Sequence, residues 1–135
     1  MKGIADTGFI VAFLNRRDLF HDWAVAVAGE IEVPLITCDA VLAEAAFHTR
    51  SSEHVLSLIE TGLIQPDLDV SSSLPRLQAL ARRYSDRAPD LADLCLIVLS
   101  ERLPNHKVVT VDTDFLVYRR GQRERIPIVM PAEKE

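Results

Sequence analysis

Apolar residues recur along several segments of the chain at the spacing of amphipathic helices, and polar or glycine-containing stretches separate these segments. Trp23, Val27 and Ile31, for example, lie on one face of a predicted helix. Asp39 is a suitable N-cap for a second helix, and Gly62 is a suitable stop for a third helix that begins at Ser52. The predicted helices cover residues 9–15, 20–31, 39–48, 52–59, 71–84 and 91–103.

Short apolar runs between these helices indicate strands. The clearest run covers residues 107–111, and weaker ones cover residues 4–5, 34–37, 63–66 and 126–130. The first is weak because Gly3 and Ala5 are poor strand residues. Pro127 places the last strand at a sheet edge, since proline cannot donate to a central ladder. Strands that alternate with helices predict an α/β layered fold with a mainly parallel sheet.

The composition is that of one globular domain. The 135 residues fit a single domain, residues 1–135, and 48% of them are hydrophobic. A net charge of −5, from 20 acidic and 15 basic residues, argues against a protein that simply coats nucleic acid with a basic surface. No apolar run is long enough for a membrane helix. Cys38 and Cys95 lie in apolar segments and are expected to be buried thiols, so we expect a cytoplasmic protein without membrane association.

Four acidic residues lie at the ends of apolar runs or inside them: Asp6, Glu44, Asp93 and Asp112. An ionised carboxylate is costly to bury unless something positive compensates it. Asp6 and Asp112 follow predicted strands, and ligands of parallel α/β sheets bind at the carboxyl ends of the strands. Glu44 and Asp93 lie near the starts of predicted helices, from which their side chains can point toward those ends. The pattern therefore predicts one acidic pocket.

A divalent hard cation is the usual compensator for an all-oxygen acidic pocket, because Mg²⁺ binds through one or two carboxylates and several waters. Without a cation, neighbouring carboxylates raise one another's pKa values. A bound cation can activate a water and stabilise charge on phosphate oxygens, and no nucleophilic serine or cysteine is then required. Metal-assisted chemistry on a phosphate is therefore the leading hypothesis, with Mg²⁺ as cofactor and Mn²⁺ able to substitute.

Each acid also has a purely structural interpretation. Asp6 could cap the following helix, Glu44 could be a surface residue, and Asp112 could be a turn residue. Asp90 and Asp93 form an Asp-x-x-Asp pair that resembles a capping box, with Asp90 as the N-cap. The apolar neighbours of Asp93 weaken this interpretation for that residue. The acidic pocket is absent only if all of these structural interpretations are true at the same time.

The remaining charged residues are less informative. The four histidines show no metal-ligand spacing, so zinc is not expected. The segment 119–125 is rich in arginine, and Arg119, Arg120 and Arg123 are candidates for contacts with substrate phosphates. A solvated loop or a partner-binding surface explains this segment equally well.

Four motifs, in their order and spacing, resemble those of the PIN-domain ribonucleases, and more narrowly those of the VapC-type toxins of bacterial and archaeal toxin–antitoxin pairs. The motifs are Asp6-Thr7-Gly8, Val41-Leu42-Ala43-Glu44, Asp90-Leu91-Ala92-Asp93-Leu94 and Thr110-Val111-Asp112-Thr113-Asp114-Phe115. The resemblance implies a PIN-like three-layer α/β/α sandwich with a central, mainly parallel sheet. It implies a Mg²⁺- or Mn²⁺-dependent endoribonuclease that cleaves RNA. It also implies a cognate small antitoxin protein as partner, and a homodimer.

The resemblance implies roles for individual residues as well. Asp6 and Asp93 match the principal metal-binding acids, and Glu44 and Asp112 complete the catalytic set. Two further acids and two hydroxyl residues match supporting positions: Asp90, Asp114, Thr7 and Thr110. Gly8 departs from the family pattern, in which another small or hydroxyl residue is common at this position.

Two other functions stay open. A phosphatase or phosphotransfer domain would use an aspartyl nucleophile at a strand end and would need a lysine near the phosphate. The lysines of the chain are poorly placed for this: Lys2, Lys107 and Lys134. A non-catalytic protein-binding module could keep the same shell, although the complete set of acids argues against a degenerate site.

Overall fold

In the computed structural model, which describes residues 1–132, helices flank a central parallel sheet. The strands of this part of the chain are β1 (Lys2–Ala5), β2 (Glu32–Thr37), β3 (Ile64–Pro66), β4 (Lys107–Val109), β5 (Arg119–Arg120), β6 (Glu124–Arg125) and β7 (Ile128–Val129). Five of them form one sheet in the order β3-β2-β1-β4-β7, and all neighbouring pairs are parallel. The predicted α/β fold is therefore confirmed. The end of the predicted domain, including Lys134, lies outside the described residues.

The helices agree closely with the apolar spacing of the sequence. They are α1 (Thr7–Leu14), α2 (His21–Glu30), α3 (Asp39–Thr49), α4 (Ser52–Glu60), α5 (Leu74–Arg83) and α6 (Leu91–Arg102). The starts of three helices differ from the prediction. α1 begins at Thr7, two residues earlier than predicted, and Cys38, one residue before Asp39, is the N-cap of α3. The segment Ser71–Ser73 forms a 3₁₀ turn that leads into α5. Within the described residues, no helix is long and apolar enough to cross a membrane.

The central strand β1 is the one that the sequence predicted most weakly. It pairs with β2 on one side and β4 on the other, and both Ile4 and Ala5 are fully buried. Gly3 has little space beside it, because a β-carbon there would collide with Ile31. Ladder hydrogen bonds on both edges and burial on both faces thus override the low strand propensity of Gly3 and Ala5.

The strand order reverses between β1 and β4. β2 and β3 follow β1 on one side, whereas β4 and β7 lie on the other. Chain segments that leave the two strands at such a switch point diverge, and a crevice forms at the carboxyl ends. Asp6 follows β1 directly, and Asp112 follows β4 after two residues. The reversal places these two acids on opposite sides of one crevice.

The ends of β4 and β7 refine the predicted strands. β4 ends at Val109, two residues earlier than predicted, although the Thr110 N–H still donates to the Val129 carbonyl at 3.0 Å. Asp112 therefore lies beyond the strand and caps a 3₁₀ turn, Thr113–Leu116. β7 is shorter than predicted but lies at the sheet edge, as Pro127 indicated.

Helix α6 is the most buried helix of the described chain. Its residues 92–100 are buried on every side of the helix, in line with the long apolar run of the sequence. Cys95 of α6 and Cys38 before α3 are both buried, as predicted. Because Asp93 lies in the first turn of this helix, it is buried together with the apolar residues around it.

Candidate metal centre

Asp6 caps α1 and also lines the crevice. Its Oδ1 accepts a hydrogen bond from the Thr7 N–H at 2.7 Å, and its Oδ2 accepts one from the Thr110 hydroxyl at 2.5 Å. Only 5% of Asp6 is exposed, and this burial raises its pKa to about 6. The two hydrogen bonds oppose the rise, and the charge of Asp112 adds to it. The capping interpretation is correct, but it leaves the burial of the charge unexplained.

Thr110 joins the two sides of the crevice. Its buried hydroxyl donates to Asp6 and accepts a hydrogen bond from the Asp112 N–H at 2.9 Å. Asp112 in turn accepts from the Asp114 N–H at 2.9 Å through its Oδ1. One threonine therefore fixes the position of Asp6 relative to the loop that carries Asp112 and Asp114. The turn interpretation of Asp112 is correct for its Oδ1.

Asp93 and Asp90 have different roles at the start of α6. Asp90 is exposed and is the N-cap, since its Oδ1 accepts from the Asp93 N–H at 2.9 Å. The Asp93 carboxylate instead accepts a hydrogen bond from the Tyr118 hydroxyl at 3.0 Å, through Oδ2. Burial and the charge of Asp90 raise the pKa of Asp93 to about 7, and the tyrosine hydrogen bond opposes this rise. Asp93 is thus a buried acid with no cationic partner among these contacts.

Glu44 reaches the crevice from α3. The Thr7 hydroxyl donates to its Oε2 at 3.1 Å, so one of the two supporting hydroxyl residues contacts this acid. Burial is the main cause of a raised pKa of Glu44, and the nearby charge of Asp90 adds to it. The side chain is half-buried and is not a free surface residue.

The acids line one cleft of about 590 Å³ at the carboxyl ends of the strands. Five acids that the sequence singled out lie along it: Asp6, Glu44, Asp90, Asp93 and Asp112. Gly8 also lines the cleft, and a β-carbon there would collide with Val111, which explains the departure from the family pattern at this position. Asp18 and His48 line the same cleft and were not predicted. His48 follows Glu44 by one helical turn, a spacing visible in the sequence.

Three carboxylates come close enough to share one cation. Single oxygens of Asp93, Asp112 and Asp114 lie within 4.8 Å of one another. Asp114 does not line the cleft and has an exposed ion pair with Arg87 at 3.4 Å, whereas Asp93 and Asp112 belong to both the cleft and the cluster. We therefore regard Asp93 and Asp112 as the centre of the site, with Asp6 and Asp114 on either side. This all-oxygen donor set fits Mg²⁺ or Mn²⁺ and does not resemble a zinc site.

The arginines singled out in the sequence lie elsewhere and do not line the cleft. Arg120 is 6% exposed, donates to Ser100 and the Pro104 carbonyl, and pairs with Glu124 at 2.7 Å. Arg119 folds back onto three backbone carbonyls just before it in the chain. Arg123 is exposed in the hairpin of β5 and β6. The neutralised, buried guanidinium of Arg120 has a structural role in this arrangement.

The contact that sequence reasoning missed is the one from Tyr118 to Asp93. Tyr118 follows the Asp112–Asp114 motif closely, so its proximity to the site could have been noticed. Its hydroxyl direction depends on how the 3₁₀ turn packs against α6, and the sequence pattern carries no signal for that packing.

The parallel sheet and the carboxylate-rich cleft at its switch point define an α/β protein suited to bind a divalent cation. The model of the PIN domain family matches residues 4–121, and the chain belongs to this family. PIN domains are usually nucleases that use divalent metals. A hydrolase acting on nucleic acid is therefore consistent with the site. No curated protein sequence matches the chain.

Proposed function

We propose that this protein is a Mg²⁺- or Mn²⁺-dependent endoribonuclease that hydrolyses RNA phosphodiester bonds. The observation that carries the proposal is the position of Asp93 and Asp112. Both line the cleft at the strand ends, and both offer oxygens to a cluster within 4.8 Å. Asp93 is buried and its contacts include no cationic partner, which is costly without a bound cation, so the arrangement favours cation binding over fold stability.

In this proposal Asp93 and Asp112 hold the cation, with help from Asp6 and Asp114. A bound divalent cation supplies a more acidic water and a positive charge against the phosphate oxygens. Thr110 keeps Asp6 and Asp112 at a fixed separation through its two hydrogen bonds. The four acids therefore bind the cation, Thr110 orients two of them, and none of these residues needs to form a covalent intermediate.

Glu44 is proposed to orient the attacking water. The Thr7 hydroxyl donates to Oε2 of Glu44, a residue that lines the cleft, and Oε1 receives no hydrogen bond from Thr7. Because its pKa is raised by burial and by the charge of Asp90, Glu44 is a better proton acceptor than an exposed glutamate. Asp90, as helix cap, supports this role by its charge and by fixing the first turn of α6.

The aspartyl-phosphate alternative is disfavoured by the placement of lysines. Within residues 1–132, no lysine lines the cleft. Lys2 and Lys107 are the first residues of β1 and β4, at the opposite ends of these strands from the acids. A transferred phosphoryl group at Asp6 or Asp112 would therefore lack the lysine that such chemistry requires.

Cleavage of labelled single-stranded and hairpin RNA tests the proposal. We expect cleavage with Mg²⁺ or Mn²⁺ that stops in EDTA and is lost in Asp6→Asn and Asp93→Asn. Asp22→Asn, an exposed acid in the first turn of α2, is the matched control and should cleave normally. Full metal-dependent cleavage by both cleft variants would overturn the proposal. A protein that binds no Mn²⁺ at millimolar concentration would instead favour the non-catalytic module.

We further propose that the protein is the toxin of a type II toxin–antitoxin pair, with a small cognate antitoxin as partner and a homodimer as the working form. The support is the resemblance of the four motifs to VapC-type toxins. The protein should be expressed with and without the neighbouring reading frame, and RNA 5′ ends should be mapped in both cases. Growth arrest and new 5′ ends that the neighbour suppresses would support this role. Unimpaired growth with intact RNA would contradict it.

A further inference from the structure

Tyr118 is a buried residue whose hydroxyl reaches a candidate cation ligand. Only 1% of the residue is exposed, and the hydroxyl donates to Oδ2 of Asp93 at 3.0 Å. Most buried tyrosine hydroxyls find a hydrogen-bond partner, so the bond alone is ordinary. What distinguishes this one is that its acceptor belongs to the carboxylate cluster of Asp93, Asp112 and Asp114.

The ring of Tyr118 is held in place on two sides. Tyr84 packs against it edge to face, with ring centroids 5.0 Å apart and planes at 69°. Phe115 packs on it in the same manner, at 5.3 Å and 83°. Such pairs resist rotation because a turned ring would lose both the packing and the favourable edge-to-face geometry. The hydroxyl therefore has a fixed position relative to α6.

The backbone of Tyr118 is tied to the same cluster. Its N–H donates to the Asp114 carbonyl at 3.0 Å, which closes the turn that begins at Asp112. One residue thus contacts Asp93 through its side chain and Asp114 through its backbone. The distance between these two acids depends on where Tyr118 lies.

A carboxylate that rotates freely about its last carbon–carbon bond can offer either oxygen to a cation. The conformational entropy that it loses when the cation binds lowers the affinity. A hydrogen bond to one oxygen removes this freedom and leaves the other oxygen directed. Groups that hydrogen-bond a metal ligand typically change metal affinity or activity by about 10–100-fold. Tyr118 donates to Oδ2 of Asp93, and Oδ1 is the oxygen that this hydrogen bond leaves open.

We infer that Tyr118 is a positioning residue of the cation site, which holds Asp93 with Oδ1 directed toward the cation. The inference rests on the proposed metal-dependent function. Tyr118 acts through Asp93 and contacts neither substrate nor cation. Its removal should therefore weaken cation binding before it affects binding of RNA.

Tyr84 offers a matched control within the same aromatic cluster. Its hydroxyl accepts a hydrogen bond from the Arg119 N–H at 2.8 Å, and its ring packs against the Tyr118 ring. Tyr84→Phe and Tyr118→Phe each remove one hydrogen-bonded hydroxyl and keep the ring. Only Tyr118→Phe removes a contact with an acid of the cluster.

Mn²⁺ titration of the full chain, followed by electron paramagnetic resonance, tests the inference. We expect the Kd for Mn²⁺ to rise by about 10-fold or more in Tyr118→Phe and to stay at the wild-type value in Tyr84→Phe. In RNA cleavage with limiting Mn²⁺, kcat should fall in Tyr118→Phe while KM for RNA stays unchanged. Replacement of Tyr118 by 4-aminophenylalanine, which keeps a donor at the same place, should restore Mn²⁺ affinity.

Two outcomes overturn the inference, and they differ from failure of the proposed function. Equal Mn²⁺ affinities of Tyr118→Phe and Tyr84→Phe would assign Tyr118 a packing role only. An affinity that the amino variant does not restore, although its circular dichroism is that of the wild type, would do the same. If the wild-type protein itself bound no Mn²⁺, the proposed function would fail first and the inference with it.

Discussion

The cleft at the carboxyl end of the sheet and the hairpin of β5 and β6 both concentrate charged residues, but they do so in opposite ways. Within the hairpin, Arg120 pairs with Glu124 at 2.7 Å. Beside it, Arg76 of α5 bonds Glu101 of α6 through two nitrogens at 2.8 and 2.7 Å, and Glu101 also accepts from the Gly121 N–H of the hairpin. The bond from Arg120 lowers the pKa of Glu124. In the cleft the acids face other acids, and burial together with this repulsion raises the pKa of Asp93 to about 7.

The presence or absence of a paired guanidinium distinguishes carboxylates that stabilise the fold from carboxylates that are suited to bind a cation. Glu101 and Glu124 are each matched by a guanidinium, so the folded protein favours their ionised forms. Within residues 1–132, Asp6, Glu44 and Asp93 of the cleft have no guanidinium partner, and the folded protein disfavours their ionised forms. The sequence made the acidic pocket the leading candidate for phosphate chemistry and the arginine segment a candidate for phosphate contacts, and the pairing of their charges now distinguishes the two regions.

The largest effect is expected from removal of one unmatched acid. Asp93→Asn should lower RNA cleavage by at least about 100-fold, because the direct contribution of a metal ligand exceeds that of its supporting groups. The same variant should be at least as stable as the wild type without metal, since an amide replaces a buried charge. Cleavage rates and urea denaturation in EDTA measure the two effects. A large loss of stability in EDTA would show instead that the Asp93 carboxylate stabilises the fold, as the paired acids Glu101 and Glu124 do.

The stability of the metal-free protein should fall as pH rises. The pKa values of Asp6 and Asp93 in the folded protein are about 6 and about 7, above the ordinary value of 3.8. The folded state therefore binds more protons than the unfolded state, and the stabilisation is complete below about pH 4 and is lost as pH passes through both values. The loss is on the order of 3 kcal/mol for Asp6 and on the order of 4 kcal/mol for Asp93 at most.

Urea denaturation in EDTA across this pH range measures the loss. Mn²⁺ should reduce it, because the cation binds the ionised carboxylates of the folded state. In Asp93→Asn the decline should be smaller than in the wild type. Stability that rises steadily over the same range would show that the acids are compensated within the protein.

Removal of one matched charge at the hairpin should have the opposite outcome. Glu101 accepts hydrogen bonds from Arg76 and from the Gly121 N–H, and these partners join α5, α6 and the hairpin. Glu101→Gln should lower the free energy of unfolding by about 2 kcal/mol, the range of hydrogen bonds to charged groups. Cleavage per folded molecule should stay normal. Impaired cleavage in fully folded Glu101→Gln would extend the functional region to the hairpin.

A smaller effect is expected at Thr110, which carries no charge but orients two acids. Thr110→Val removes the hydroxyl that bonds Asp6 and Asp112 and keeps the shape of the buried side chain. Mn²⁺ affinity should fall about 10-fold, while Thr110→Ser, which keeps the hydroxyl, should bind Mn²⁺ nearly as the wild type does. Calorimetry of the two variants provides the comparison. Weaker binding in Thr110→Ser together with normal binding in Thr110→Val would contradict this role, because it would assign the effect to packing of the methyl group.

Most of the fold could be predicted because its elements are apolar and periodic. The long run of α6 and the strand before Thr110 stand out in the sequence, and they became a buried helix and a strand of the central sheet. The hairpin of β5 and β6 was missed because its strands are two residues long and mostly charged. Gly121, at φ 58° in its turn, was the remaining local signal.

The sequence indicated which residues form the candidate site more readily than it indicated the contacts between them. Asp6 and Asp112 follow predicted strands, and the sheet topology brought them to one cleft. The burial of Arg120 depends on Ser100 and Pro104, which lie 20 and 16 positions away along the chain, and no local pattern indicates such a contact. The bond from Tyr118 to Asp93 likewise joins residues 25 positions apart.

The central claim is that the unmatched acids of the cleft form a divalent-cation site. Diffraction from crystals soaked in Mn²⁺, measured near the manganese absorption edge, tests it most directly. We predict an anomalous peak in direct contact with carboxylate oxygens of Asp93 and Asp112, and no such peak in crystals of Asp93→Asn. A cleft without a peak at millimolar Mn²⁺, or a peak that persists in Asp93→Asn, would contradict the account.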